Sequence, residues 1–222
     1  MIEYIEDNKK EILLCLGIIG LIVLFLIIKG CTSKKELIYT IESNKSSKLP
    51  YINLKIEGID DINRELKEDY YMIKDLKNES TMTYEYNKSN DILSLLVTEI
   101  IYVDNKVPVT RFVTHNIDLK NKKILTADDI YSKYKISKIS TKRMLDTAMA
   151  NQYESDIKNK FINSINFDFE YYVMEFKQYH GIEDLVLYIN NNEVYGYLNI
   201  RDYVPNSTKT KYPKMNKIFK LN

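Results

Sequence analysis

Residues 12–28 read Ile-Leu-Leu-Cys-Leu-Gly-Ile-Ile-Gly-Leu-Ile-Val-Leu-Phe-Leu-Ile-Ile, seventeen positions without a charge or a proline. As a helix the run would extend roughly 25 Å at about 1.5 Å per residue. With Gly30 and Cys31 it approaches the ~20 residues that a bilayer core requires. A helix half-buried in a soluble core would show a polar stripe at every third or fourth position, and this run shows none. The pattern predicts a transmembrane helix over residues 12–30, preceded by a short tail at 1–11 and followed by one domain at 36–222.

The leader allows two fates. It can stay as an uncleaved signal anchor, or it can be a lipoprotein signal cut before a lipidated Cys31. Lys29 stands where a small or apolar residue normally precedes the lipid-carrying cysteine. The tail carries Glu3, Glu6, Asp7 and Glu11 against Lys9 and Lys10, which is unlike an export signal. Both features favour the anchor. The positive-inside comparison sets Lys9 and Lys10 against Lys29, Lys34 and Lys35, so charge leaves the orientation open.

Charge and cysteine usage bound what the rest can do. Residues 1–31 hold three lysines and four carboxylates of the chain's 32 basic and 31 acidic side chains, leaving 29 against 27, a net of +2. The charges are interspersed, which offers no footprint for nucleic acid. No cysteine follows Cys31, so the domain has neither a disulfide nor a thiol nucleophile. Roughly 190 residues suffice for one ordinary core. The abundance of Lys, Ile, Asn and Tyr is what AT-rich codons supply, so 19 tyrosines do not by themselves make a binding surface.

Periodicity predicts the elements. Short strands are expected at Leu37–Ile41 and, after Pro50, at Tyr51–Ile56. Ile59, Ile62, Leu66, Tyr70 and Ile73 follow helical spacing, predicting a helix over 60–77 with Asp60 or Asp61 as its cap. Met82, Tyr84 and Tyr86 alternate. Residues 92–103 are nearly continuous apolar, and Val107, Val109 and Val113 alternate again, with a turn at Asp104-Asn105-Lys106. A second turn follows Ile117. Thr126-Ala127-Asp128-Asp129 has capping-box spacing, and Ser140 or Thr141 opens a longer helix through Phe161. Strands are then expected at Phe167–Phe176, Leu185–Ile189 and Val194–Ile200, the last two joined by Asn190-Asn191-Asn192. The sum is an α+β fold, an antiparallel sheet with packed helices.

Several phrases resemble one bacterial family. These are Tyr51-Ile52-Asn53 before a helix, Asp91-Ile92-Leu93-Ser94-Leu95 heading a long strand, and Thr114-His115-Asn116-Ile117-Asp118-Leu119 running through Lys122-Lys123-Ile124-Leu125-Thr126-Ala127-Asp128-Asp129-Ile130-Tyr131. Together, best over residues 36–135, they resemble the RsiV-like extracytoplasmic domain, also found as the N-terminal domain of PdaC-like peptidoglycan deacetylases. The chain departs from the family phrase at Asn121-Lys122, where a glycine usually precedes lysine. Asn tolerates the left-handed conformation that such a turn needs. The resemblance implies a domain outside the cytoplasmic membrane behind a single anchor. Lysozyme binding belongs to some relatives, but no motif carries it over. With eleven residues before the apolar run and one domain after it, neither a sigma-binding segment nor a deacetylase domain is expected.

Catalytic patterns are scarce. His115 falls on the strand alternation of Val107, Val109, Arg111, Val113 and Ile117, the place of a packed histidine, and His180-Gly181 reads as a turn. Two histidines without metal-ligand spacing give no zinc site, and neither G-x-S-x-G nor S-x-x-K occurs. Asp60-Asp61 and Asp128-Asp129 sit where helix caps are expected. Catalytic, cofactor and metal residues are therefore expected to be none. The remaining candidates for a ligand surface are Tyr171, Tyr172, Tyr195 and Tyr197, flat amphipathic rings suited to a glycan or a protein. The expected function is a membrane-anchored extracytoplasmic binding or sensing domain of the cell envelope. Its expected partners are the membrane and a cell-wall glycan or envelope protein, its ligand a wall glycan or a protein such as lysozyme; the alternative is an envelope enzyme or accessory subunit acting on wall polymer.

Overall fold

The strand segments of the described residues resolve into three antiparallel sheets, one formed before residue 53 and two after residue 80. The computed structural model describes residues 36–76, 79–103, 107–159, 168–199 and 218–222. The chain divides after Leu37, and the elements that follow lie in Ile38–Asn222. β1 (Ile38–Ser43) pairs with β2 (Lys48–Ile52), with a bulge between Thr40 and Glu42. A four-stranded sheet runs β3 (Thr81–Ser89), β4 (Ile92–Val103), β5 (Val107–Asp118), β6 (Lys123–Leu125) in chain order. A three-stranded sheet runs β7 (Leu185–Asn190), β8 (Glu193–Leu198), β9 (Ile218–Lys220). The class is α+β with antiparallel sheets, as the segregated pattern predicts.

The central ribbon β4–β5 has two working faces. On one, Leu93, Leu95, Val97 and Glu99 stand opposite Ile117, His115, Val113 and Arg111. Helix α1 (Ile59–Asp75) lies over this face, since Arg111 reaches its Asp69. The helix buries Ile59, Ile62, Leu66, Tyr70 and Ile73, the stripe that its spacing predicts. Fully burying such side chains stabilises a fold by about 1.5–3 kcal/mol each. Its start differs from the sequence reading. The N-cap is Gly58, at φ 83, and Asp60 and Asp61 fall inside the first turn, where their charge suits the positive end of the helix dipole. Glycine is favoured there by the left-handed φ, and a Cβ would in addition make Ile124 Cδ1, 2.8 Å away, give way.

On the other face, Ile92, Ser94, Leu96 and Thr98 stand opposite Asp118, Asn116, Thr114 and Phe112. Strand β7 crosses here and presents its open edge. Asn116 Nδ2 donates to the Leu187 carbonyl at 2.8 Å, and Ser94 Oγ accepts from the Ile189 amide at 3.0 Å. Ser94 Oγ donates in turn to Asn116 Oδ1 at 2.5 Å. Two side chains thus satisfy buried edge groups that a missing strand would leave unpaired. Asn199 does the same for Phe112, accepting from its amide at 2.7 Å and donating to its carbonyl at 2.8 Å. Beyond β7 lies the larger core, where Ile92, Ile130, Leu145, Met149, Tyr172, Leu187, Ile189, Val194 and Leu198 meet.

The middle helices form where capping chemistry places them. In α2 (Ala127–Lys133), the Thr126 side chain accepts from the Asp129 amide and Asp129 accepts from the Thr126 amide, a complete capping box. In α3 (Lys138–Lys158), Ser137 is the cap, a few residues before the expected Ser140 or Thr141.

Other expectations are corrected. The strand expected at Phe167–Phe176 is helical over its described part: a turn at Phe169–Tyr171 continues as a π-helical turn at Tyr172–Phe176. Asp168 caps it, accepting from the Tyr171 amide at 2.8 Å, and a buried hydroxyl bond from Tyr172 to Asp156 of α3 fixes it. In the turn after β5 the left-handed residue is Lys122 (φ 52), not Asn121. Asn121 instead bonds both carboxylate oxygens of Asp118, at 2.9 and 3.0 Å. β9 had no signal in the sequence. The turn at Asp104-Asn105-Lys106 and the apolar run at 12–30 lie outside the described residues, among which no helix is long and apolar enough to cross a membrane.

Candidate functional site: the tyrosine face of strand β8

The four tyrosines singled out by sequence do not form one surface. Alternation sends Val194 and Leu198 of β8 into the larger core with Tyr172, and sends Tyr195 and Tyr197 to the opposite face. Tyr172 is 0 % exposed and is thereby removed from any ligand surface; its hydroxyl donates to Asp156 Oδ2 at 2.6 Å. Tyr171, next to it, is exposed on the helical turn. Only Tyr195 and Tyr197 stand together.

Across β7–β8, Tyr195 pairs with Tyr188 and Tyr197 with Val186. Tyr188 is buried against Leu96 and Phe112, with Val186 and Tyr197 packed on that cluster. The Tyr197 ring lies 5.0 Å from Phe112 and 6.3 Å from Tyr188, spacings typical of attractive ring contacts. Tyr197 is therefore half-buried on a rigid floor, with one flank open.

Polar groups border these rings. The Tyr195 hydroxyl donates to Glu193 Oε2 at 2.5 Å, and Lys220 Nζ of β9 donates to Glu193 Oε1 at 2.5 Å. The lysine first, and the phenol second, hold the Glu193 carboxyl below the ordinary carboxylate range. The bond to Glu193 raises the Tyr195 phenol, while burial, aided by the Glu85 charge, raises Tyr197. The face thus joins two half-exposed rings to an ionised carboxylate fixed beside them and to the charge of Glu85 nearby. Rings of this kind stack on apolar faces, and the carboxylates accept from hydroxyl or amide donors.

Sequence reasoning missed a second constellation on the α1 side of the ribbon. Glu99 is 0 % exposed, yet it sits within a nearly apolar strand. Its Oε2 accepts from Arg111 Nη1 at 3.2 Å, and the same nitrogen lies 3.4 Å from Asp69 Oδ2. Among the described residues Glu99 Oε1 has no hydrogen-bond partner. Burial, with help from Asp69 and against the pull of Arg111, raises the Glu99 carboxyl to about 7. A signal was present: Glu99 and Arg111 each stand five residues from the turn predicted at 104–106, which pairs them in the expected hairpin, as the register has them.

His115 lies opposite Leu95 on this face, its Nε2 buried without a partner, and burial lowers it to about 4. His180 is exposed, its backbone amide donating to Asp184 and its Nδ1 3.5 Å from Asp184 Oδ1. The two histidines are not brought together with any shared partner among the described residues. No group of three or more His, Cys, Asp and Glu side chains converges there as a metal would require.

No protein-family model matches this chain, and no curated protein matches it either.

Proposed function

We propose that this chain is a membrane-anchored extracytoplasmic binding or sensing domain of the bacterial envelope, with Tyr195 and Tyr197 as the centre of its ligand surface. The ligand class that fits is a wall glycan, whose sugar rings offer apolar faces to tyrosine and hydroxyls to carboxylates. The observation that carries the reading is the pairing of half-exposed Tyr195 and Tyr197 on one face of β8, over a floor of Tyr188 and Phe112, beside a Glu193 braced by Lys220. A rigid platform of this kind loses little side-chain freedom when it binds. The apolar run at 12–28 supports the anchor, and the family likeness supports the outward orientation; lipidation at Cys31 in place of the transmembrane helix would leave the same domain on the same surface.

The enzyme alternative draws on the Asp69–Glu99 carboxyl pair, assembled from distant positions with one member raised toward neutrality. Against it, the Glu99 side chain is fully buried and offers no path to a polymer substrate. We assign it no catalytic role. The test is binding of the full chain in detergent to soluble peptidoglycan fragments, read by calorimetry. The reading expects saturable binding that falls at least about tenfold in a Tyr195→Ala/Tyr197→Ala variant, the loss of about 1.4 kcal/mol or more. Unchanged binding in that variant, or none in the wild type, removes the glycan assignment.

A further inference from the structure

The Glu99 cluster has more acid than its surroundings can neutralise. Two carboxylates, Glu99 on β4 and Asp69 on α1, share one guanidinium nitrogen of Arg111 on β5. Arg111 is about half exposed and Asp69 a quarter exposed, but Glu99 is sealed. Among the described residues no further charge faces it from β3, where Met82 is its register partner and Tyr84, one rung along, shares a hydrogen bond with Thr40. From α1 the neighbour of Asp69 is Tyr70, a buried phenol whose hydroxyl has no partner. With Glu99 ionised, the cluster holds two negative charges against one positive, and a buried carboxylate oxygen goes without a donor, which is costly in a dry site. A proton on Glu99 removes the surplus and supplies a donor.

We propose that Glu99, Asp69 and Arg111 form a proton-operated latch that seats the C-terminal half of α1 on the β4–β5 ribbon. The two ends of the helix are tied differently. At the N-terminal end Asn63 clamps Ile52 of β2 through two bonds, accepting from its amide at 2.8 Å and donating to its carbonyl at 3.0 Å, and neither bond titrates. Toward the C-terminal end, beside the buried Tyr70 and Ile73, the polar ties among the described residues are the Arg111 bridge and the surface bonds of Tyr71 and Lys74 to Glu42. Lifting that end would admit water to Glu99 and relieve an ionised carboxylate. Acidification therefore tightens the helix end, and alkaline conditions loosen it.

Hydrogen exchange of the full chain in detergent tests this, with rates corrected for intrinsic exchange chemistry. Between about pH 8 and about pH 5.5, protection of amides in residues 66–75 is expected to rise roughly tenfold in the wild type. The rise should be absent in Glu99→Gln, and α3 protection should not follow it. A flat wild-type profile, an equal rise in Glu99→Gln, or a parallel rise in α3 each overturns the latch. Should Glu99→Gln fail to fold, carboxyl carbon resonances of the wild type decide the matter. A Glu99 titration midpoint near neutrality that moves down in Asp69→Asn supports the latch, and a midpoint below about 5 refutes it.

Discussion

Replacing His115 by leucine should make the domain resistant to acid. The imidazole stands on β5 opposite Leu95, with Val113 and Ile117 on the same face, and its Nε2 is buried without a partner. Burial depresses its pKa from 6.5 to about 4. A depressed basic group stabilises the native state above the unfolded value and loses that contribution as the pH falls through the folded value. At about 1.4 kcal/mol per pH decade, the gap between 6.5 and 4 is about 3 kcal/mol. Nearly all of that loss has been incurred by pH 4, where the folded histidine is half protonated. Leucine is similar in size, suits the apolar neighbours and has no proton to take up. Urea denaturation at pH 7 and pH 4 measures the difference. The variant is expected to equal or exceed the wild type at pH 7 and to lose about 3 kcal/mol less on acidification. Glu99 acts in the opposite sense: with its pKa raised from 4.5 to about 7, its contribution is complete below 4.5 and lost as the pH rises through 7. Comparing each variant with the wild type separates the two. Equal acid losses in wild type and His115→Leu would refute the burial argument.

Other substitutions probe separate parts of the account. Asn116→Leu removes the donor to the Leu187 carbonyl and the acceptor of Ser94, and should cost about 3 kcal/mol by chemical denaturation. Tyr172→Phe deletes only the hydroxyl that donates to Asp156, while Gln152 still donates to that carboxylate, so a loss of about 1–2 kcal/mol in melting experiments is expected, with ligand binding unchanged. Lys122→Gly should stabilise the domain by about 1 kcal/mol, because lysine occupies a left-handed position there; a destabilised variant would show that the lysine side chain contributes more than the strain removes.

Much of the fold was legible because its signals are local. Ile92–Val103 emerges with the boundaries that its apolar run marks, and the α1 stripe of Ile59, Ile62, Leu66, Tyr70 and Ile73 is the one that spacing predicts. The Thr126 capping box is likewise visible in four residues. Failures occur where a distant partner decides. Tyr171-Tyr172-Val173 has strand-like composition, but Asp168 caps a turn there and Asp156 takes up the Tyr172 hydroxyl from 16 residues away, so a helix forms. β9 exists only as the third strand against β8, and three residues carry no period to detect. At the proposed ligand face, alternation along β8 was readable and groups Tyr195 with Tyr197. The floor beneath them was not, since Phe112 and Leu96 arrive from another sheet. The Glu99–Arg111 pairing was readable from the hairpin, whereas the third member, Asp69, depends on how α1 lies across it.

Photocrosslinking in living bacteria probes the proposed glycan-binding tyrosine face outside the membrane. A photoreactive phenylalanine analogue is placed at Tyr195 in the full chain, and for comparison at Tyr171, which is exposed elsewhere on the domain. After illumination and digestion, mass spectrometry of the purified chain identifies the adducts. Wall-glycan adducts are expected from position 195 and none from position 171. Glycan adducts confined to position 171, or cytosolic partners at both positions, would contradict it.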